Sequence, residues 1–200
     1  MTEEKKSLFW YRIKFLGLVG VFVLPFVAGW LALYVFEIKP ESNNYGRLIQ
    51  PVKKISWPEL ESINAEVYQD GLGKKWTFLL FTQDACNEQC RSNLYYMRQI
   101  RTLLGRDAGR LQNVLISSVA IDQTMLAFLK EYPDFVVIDK FKDNKLLNQF
   151  ADEEGVAVGL APRLYLVDPD QNYMMIYPAQ IDEYRVLEDI RKLMKLSQIG

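Results

Sequence analysis

Histidine is absent from all 200 residues of the chain. That absence removes the imidazole general base, the commonest metal ligand and every Ser/His/Asp or Cys/His catalytic arrangement. Cysteine is scarce, with two residues, too few for a disulfide scaffold or a closed four-thiolate zinc site. An excess of either charge is lacking as well: 24 basic and 25 acidic side chains leave a net charge of −1. With no basic stripe interleaved with aromatics, electrostatic binding of nucleic acid is excluded. The chain also lacks internal repeats and low-complexity tracts. Any chemistry must come from thiols, carboxylates or methionines, on a chain long enough for one ordinary domain plus an anchor.

Charge is missing altogether from residues 15–36, FLGLVGVFVLPFVAGWLALYVF. A helix needs about 20 apolar residues to cross a bilayer, so this run reads as one transmembrane span. Pro25 and the glycines are tolerated in such a helix, and Trp30 and Tyr34 suit an interface. Gly17 and Gly20 do not form GxxxG. A cleaved signal peptide is the competing reading. The run exceeds the usual apolar core of about 7–15 residues, and no small-x-small site follows, which favours a retained anchor. Lys5, Lys6, Arg12 and Lys14 place residues 1–14 in the cytoplasm by the positive-inside rule, although Lys39, Arg47, Lys53 and Lys54 reduce the contrast. The expected location is a bacterial inner membrane, single-pass, with the C-terminal domain in the periplasm. Residues 37–58, with Pro40, Gly46, Pro51 and Pro58, read as a linker, and residues 59–200 as the globular domain.

Within that domain, residues 75–104, KWTFLLFTQDACNEQCRSNLYYMRQIRTLL, hold both cysteines. The run 76–81 reads as a buried strand, and Leu94, Met97, Ile100 and Leu104 recur at helical spacing. Cys86 and Cys90 therefore sit where a strand hands over to a helix. Four positions apart at a helix start, they can share a metal ion or close a disulfide, and exposed helix amides favour a thiolate, most of all on Cys86. The competing reading is an inert structural disulfide or two small apolar fillers. Asp84 and Glu88 flank the pair, either tuning thiol acidity or serving as a helix cap and a solvated face.

The remaining pattern alternates. Residues 58–62 suggest a short helix or turn, and Val67 and Tyr68 an edge strand. Residues 114–121 read as a buried strand, 123–132 as a helix, 135–138 as a strand and 142–152 as a helix. Residues 164–167 and 173–177 form a hairpin opened by Asp168, and Asp182 caps a last amphipathic helix. This order predicts an α/β fold, a three-layer sandwich with a mixed sheet.

The N-terminal anchor, FTQDACNEQC after a buried strand, VLISSVAID, and GLAPRLYLVDPDQNY before a terminal helix together resemble the thioredoxin-like Sco/SenC family of cytochrome oxidase assembly proteins. The likeness covers residues 55–196. It implies a thioredoxin-like fold and assigns Cys86 and Cys90 as the thiols that hold Cu(I) or exchange disulfides. It also implies a haem-copper oxidase, especially its copper-binding subunit II, as partner. This chain is a divergent case: the family histidine belongs near residues 159–163, which read Gly-Leu-Ala-Pro-Arg, and Asn87 stands where proline is common. Met97 is a conceivable third ligand, with core packing the plainer alternative. Pro162 resembles the cis-proline that faces the dithiol in thioredoxins, or is an ordinary trans proline entering a strand. Three functions compete: an oxidase assembly factor working by thiol exchange or Cu(I) handling, a degenerate structural or interaction subunit with a locked disulfide, and a general thiol-disulfide oxidoreductase.

Overall fold

The computed structural model describes residues 3–35, 43–151 and 157–197, and the chain divides into two compact units between Asn43 and Asn44. The first unit carries α1, Glu3–Tyr34. Its segment Trp10–Leu31 is long and apolar enough to cross a membrane by length and composition. Phe22 and Phe26 stand exposed on it, and the Trp30 and Tyr34 rings stack 5.8 Å apart. Phe36, the expected end of the apolar run, lies outside the described residues.

The second unit is built on β4, Trp76–Thr82, in which every residue is buried. A strand covered on both faces needs a mostly apolar sequence, and WTFLLFT supplies one, with the buried Thr77 hydroxyl accepting from Gln112. Beside it lie β5, Leu111–Ser117, and β7, Leu164–Val167. Outside these are β6, Phe135–Ile138, and β8, Asn172–Ile176, with β1, Arg47–Lys54, at the far edge. The sheet order is β1-β8-β7-β4-β5-β6. β4, β5 and β6 run parallel, while β7, β8 and β1 add antiparallel pairs. The mixed sheet expected from the alternating pattern is present.

Alternation along each strand separates two cores. On one face Phe78 and Leu80 join Leu94 and Met97 of α2, Glu88–Leu103, and Leu187 and Ile190 of α5, Glu183–Leu196. Met125 and Leu129 of α3, Gln123–Leu129, complete that layer. On the other face Leu79 and Phe81 pack with Tyr165, Tyr173 and Leu146, the last from α4, Asn144–Gln149. Phe150 sits among these rings, 5.0 Å from both Phe81 and Tyr173. The result is helix, sheet, helix. Each of the four helices opens on an Asn or Asp that accepts hydrogen bonds from first-turn N–H groups: Asn87, Asp122, Asp143 and Asp182. Asp168 opens the β7–β8 turn, accepting from the Asn172 backbone N–H at 2.8 Å.

Two expectations need correction. The stretch taken as linker through Pro58 contains β1, which pairs with β8 from Arg47↔Ile176 to Lys54↔Asn172. Its side chains are mostly exposed, so it lacks the apolar alternation of a core strand, and Pro51 falls where the register shifts, as an edge position permits. Residues 58–62 form no helix. Leu60–Glu61, β2, pairs with Val67–Tyr68, β3, and the Ile63 N–H donates to the Val137 carbonyl at 2.9 Å.

The entry of the chain into this unit is closely packed. A Cβ at Gly46 would lie 2.6 Å from the Tyr177 ring, so only glycine fits. The Gly46 N–H donates at 2.8 Å to Asp189 on α5, a carboxylate 2% exposed. Burial raises the Asp189 carboxyl above its ordinary 3.8, against the backbone N–H groups of Gly46 and Tyr45 and the charges of Lys192 and Arg185, which lower it. The folded state thus holds this proton more tightly than the unfolded chain. The contribution of Asp189 to stability is full below 3.8 and fades as pH rises through the raised value. Asp189→Asn cannot ionise, so the stability of the parent relative to this variant should fall as pH rises above 3.8 in chemical denaturation. A constant difference would reject the assignment.

Candidate functional site

Because β4 is buried to its end, the polar residues 83–87 emerge where the sheet stops, and α2 begins directly after them. Asn87 is the N-cap. Its side-chain oxygen accepts the Cys90 N–H at 2.9 Å. Cys86 therefore sits just outside the helix and Cys90 three positions inside it. The two form a disulfide, with Cα atoms 5.3 Å apart. Their access differs: Cys90 is 1% exposed and packed into the core, whereas Cys86 is partly exposed. A nucleophile from solvent meets Cys86 first.

The flanking carboxylates, Asp84 and Glu88, are solvated, and neither is the helix cap, which is Asn87. Glu88 lies in the first turn, where negative charge suits the helix dipole. Met97 is fully buried among the core residues of α2, so packing accounts for it. Among the described residues no group of three or more His, Cys, Asp or Glu side chains is placed to hold a metal ion. The donor set at the loop is two sulfurs.

Residues 159–163, where the resemblance would place a histidine, lie together with Val158 against the cysteine loop. The Gln83 N–H donates to the Gly159 carbonyl at 3.2 Å, and its side-chain amide donates to the Val158 carbonyl at 2.7 Å. Gly159 has φ +88°, and a Cβ there would stand 3.2 Å from the Gln83 nitrogen, so both backbone and space call for glycine. The next residue, Leu160, is 62% exposed. Pro162 follows, and the cis peptide bond among the described residues is Gln50–Pro51, so Ala161–Pro162 is trans, the ordinary one of its two readings. Pro162 leads toward β7, and its carbonyl accepts from a side chain of α2.

Asn93 is the residue that takes it, and sequence reasoning passed over it. Its side-chain amide donates to the Pro162 carbonyl and, at 2.7 Å, to the Ala179 carbonyl. The signal was available: Asn93 is a polar residue on the same helical face as Cys90, Leu94 and Met97, and buried polar groups persist when hydrogen-bonded.

Comparison with solved structures places this architecture. Arabidopsis thaliana ScoI with copper bound matches at a TM-score of 0.56 and 16% identity, over 76% of this chain and 99% of that one. BsSco, described as having a disulfide switch and as a member of the Sco family of cytochrome c oxidase assembly proteins, matches at 0.55 and 13%, over 76% and 99%. A putative protein disulfide isomerase from Bacteroides thetaiotaomicron matches at 0.55 and 14%, over 76% and 94%. At such identities the likeness is one of fold, and the fold is thioredoxin-like. No curated protein matches the sequence. The family model for the transmembrane-like, thioredoxin-like C-terminal domain does match, over residues 76–197, from the first residue of β4 to just beyond α5, and the chain belongs to that family.

Proposed function

We propose that this chain is a membrane-anchored thioredoxin-like protein that assists cytochrome c oxidase assembly through Cys86 and Cys90, by thiol-disulfide exchange or by carrying Cu(I). The observation that carries the reading is the unequal pair itself: a partly exposed Cys86 bonded to a buried Cys90 at the mouth of the sheet. In the reducing direction, the Cys86 thiolate attacks a client disulfide and releases one client thiolate. The Cys90 thiolate then attacks the Cys86 sulfur, releases the second client thiolate and closes the intramolecular bond. Two electrons pass to the client, and an external dithiol must restore the pair.

Copper fits as cargo in the reduced state alone. Two thiolates suit the soft, low-coordinate Cu(I) ion, and the lack of an imidazole argues against Cu(II). The helix at Trp10–Leu31 would hold the domain beside a membrane-bound client and raise its effective concentration. The basic residues before that helix support a cytoplasmic N-terminus and a domain in the periplasm of a bacterial inner membrane. What supports a haem-copper oxidase as partner, with copper-binding subunit II the first candidate, is the fold shared with BsSco. The second reading is a structural or interaction subunit with a locked disulfide, favoured by the burial of Cys90 and by the missing third ligand.

Cys90→Ser should accumulate a mixed disulfide between Cys86 and a peptide bearing a vicinal cysteine pair, visible as a mass adduct, while Cys86→Ser should give none. Equal capture by both variants would reject the assigned order of attack. The reduction potential separates the two readings: a value above about −300 mV marks a working pair, and one below it a structural bridge. For copper, the dithiol form should take up one Cu(I) in competition with a chromophoric chelator and lose it on Cys86→Ser. Undiminished uptake by that variant would remove the cysteines from metal handling.

A further inference from the structure

Asn93 is 0% exposed and lies one helical turn beyond Cys90, on a face otherwise made of Cys90, Leu94, Met97 and Ile100. A buried amide there is costly unless it is hydrogen-bonded. Its Nδ2 donates to the carbonyls of Pro162 and Ala179, and its Oδ1 accepts from Gln89 Nε2 at 3.2 Å. Gln89, the residue before Cys90, also reaches the Ala179 carbonyl at 3.3 Å. On the other side of the dithiol, Gln83 holds the carbonyls of Val158 and Gly159. The loop 158–162 is thus fastened three residues before Cys86 and three residues after Cys90. The 178–181 loop is fastened at the same amide.

We propose that Asn93 is a positioning residue that couples the oxidation state of Cys86–Cys90 to these two loops; the proposal rests on the reading that the pair is redox-active. A closed disulfide fixes Cys86, outside the helix, against Cys90 in its first turn. Opening it lets the 83–87 segment and that first turn move independently. The 83–87 segment is tied to loop 158–162 through Gln83, and α2 is tied to the same loop through Asn93, one turn beyond Cys90, so movement of the segment relative to the helix strains the hydrogen bonds at Gln83 or at Asn93. The clamp formed with the disulfide closed therefore favours the disulfide. By linkage, the closed disulfide favours the clamp to the same extent.

The test uses the full chain in detergent micelles, with Asn93→Ala, Asn93→Ser and Gln89→Ala, each equilibrated in glutathione redox buffers and melted in both oxidation states. Asn93→Ala should shift the thiol-disulfide equilibrium toward the dithiol about tenfold, a potential about 30 mV higher, and should lower the melting temperature of the oxidised form more than that of the reduced form. Asn93→Ser, which keeps a donor, should fall between Asn93→Ala and the parent. Equal destabilisation of both forms with an unmoved potential would make Asn93 a structural residue only and overturn the coupling. Should Asn93→Ala fail to fold, amide hydrogen exchange on the parent still decides. Reduction should speed exchange at 158–162 and 178–181, and unchanged exchange there overturns the proposal. A parent disulfide that stays closed at potentials below about −300 mV overturns the redox reading and this coupling together.

Discussion

A strand buried on both faces keeps its charged and exposed residues outside the sheet, and that constraint on β4 positions the rest of the globular unit. WTFLLFT runs through the middle of the sheet, and the first polar, sharply turning residues after it are those of the cysteine loop. Its neighbours supply the surroundings of that loop. The Ser118 N–H, just past the end of parallel β5, donates to the Thr82 carbonyl at 2.8 Å, and antiparallel β7 begins after the 158–163 loop on the other side. A topology with β4 at an edge would have left Cys86 and Cys90 bordered on one side only.

Without histidine, the site has a narrow chemical range. The cysteine pair offers two sulfurs of unequal access, and of the exposed carboxylates nearby only Glu88 lies in the first turn of α2. The solved Sco structures share this fold. Where the sequence resemblance calls for an imidazole, this chain has a glycine packed against Gln83. That loop is occupied by its hydrogen bonds to Gln83 of the cysteine segment.

The central part of the fold was legible because its signals are local. The apolar run of β4, the helical spacing of Leu94, Met97 and Ile100, the strand 135–138, and the capping Asp182 all depend on neighbours in sequence. The misses fall where tertiary partners decide. β1 has exposed, polar side chains and a proline, and it is a strand because β8 offers a free edge to pair with. Asn87 and the two acidic residues near it are all chemically able to cap α2, and the path of the chain after Thr82 selected Asn87. Asn93 is separated from Pro162 and Ala179 by 69 and 86 residues, so no window of sequence could show the carbonyls that it satisfies.

The sequence alone shows a charge-free run long enough for a bilayer, a domain that alternates strand and helix, and two cysteines, Cys86 and Cys90, where a strand hands over to a helix. Each of these follows from composition or short-range period, which the chain carries whether or not it is folded. Tertiary structure alone decided that Cys90 is buried while Cys86 is reachable, that Pro162 is trans, and that one amide on the dithiol helix fastens two distant loops. These depend on which surfaces meet across the sheet and on where backbone hydrogen-bonding groups find partners, and both are settled only when the layers pack.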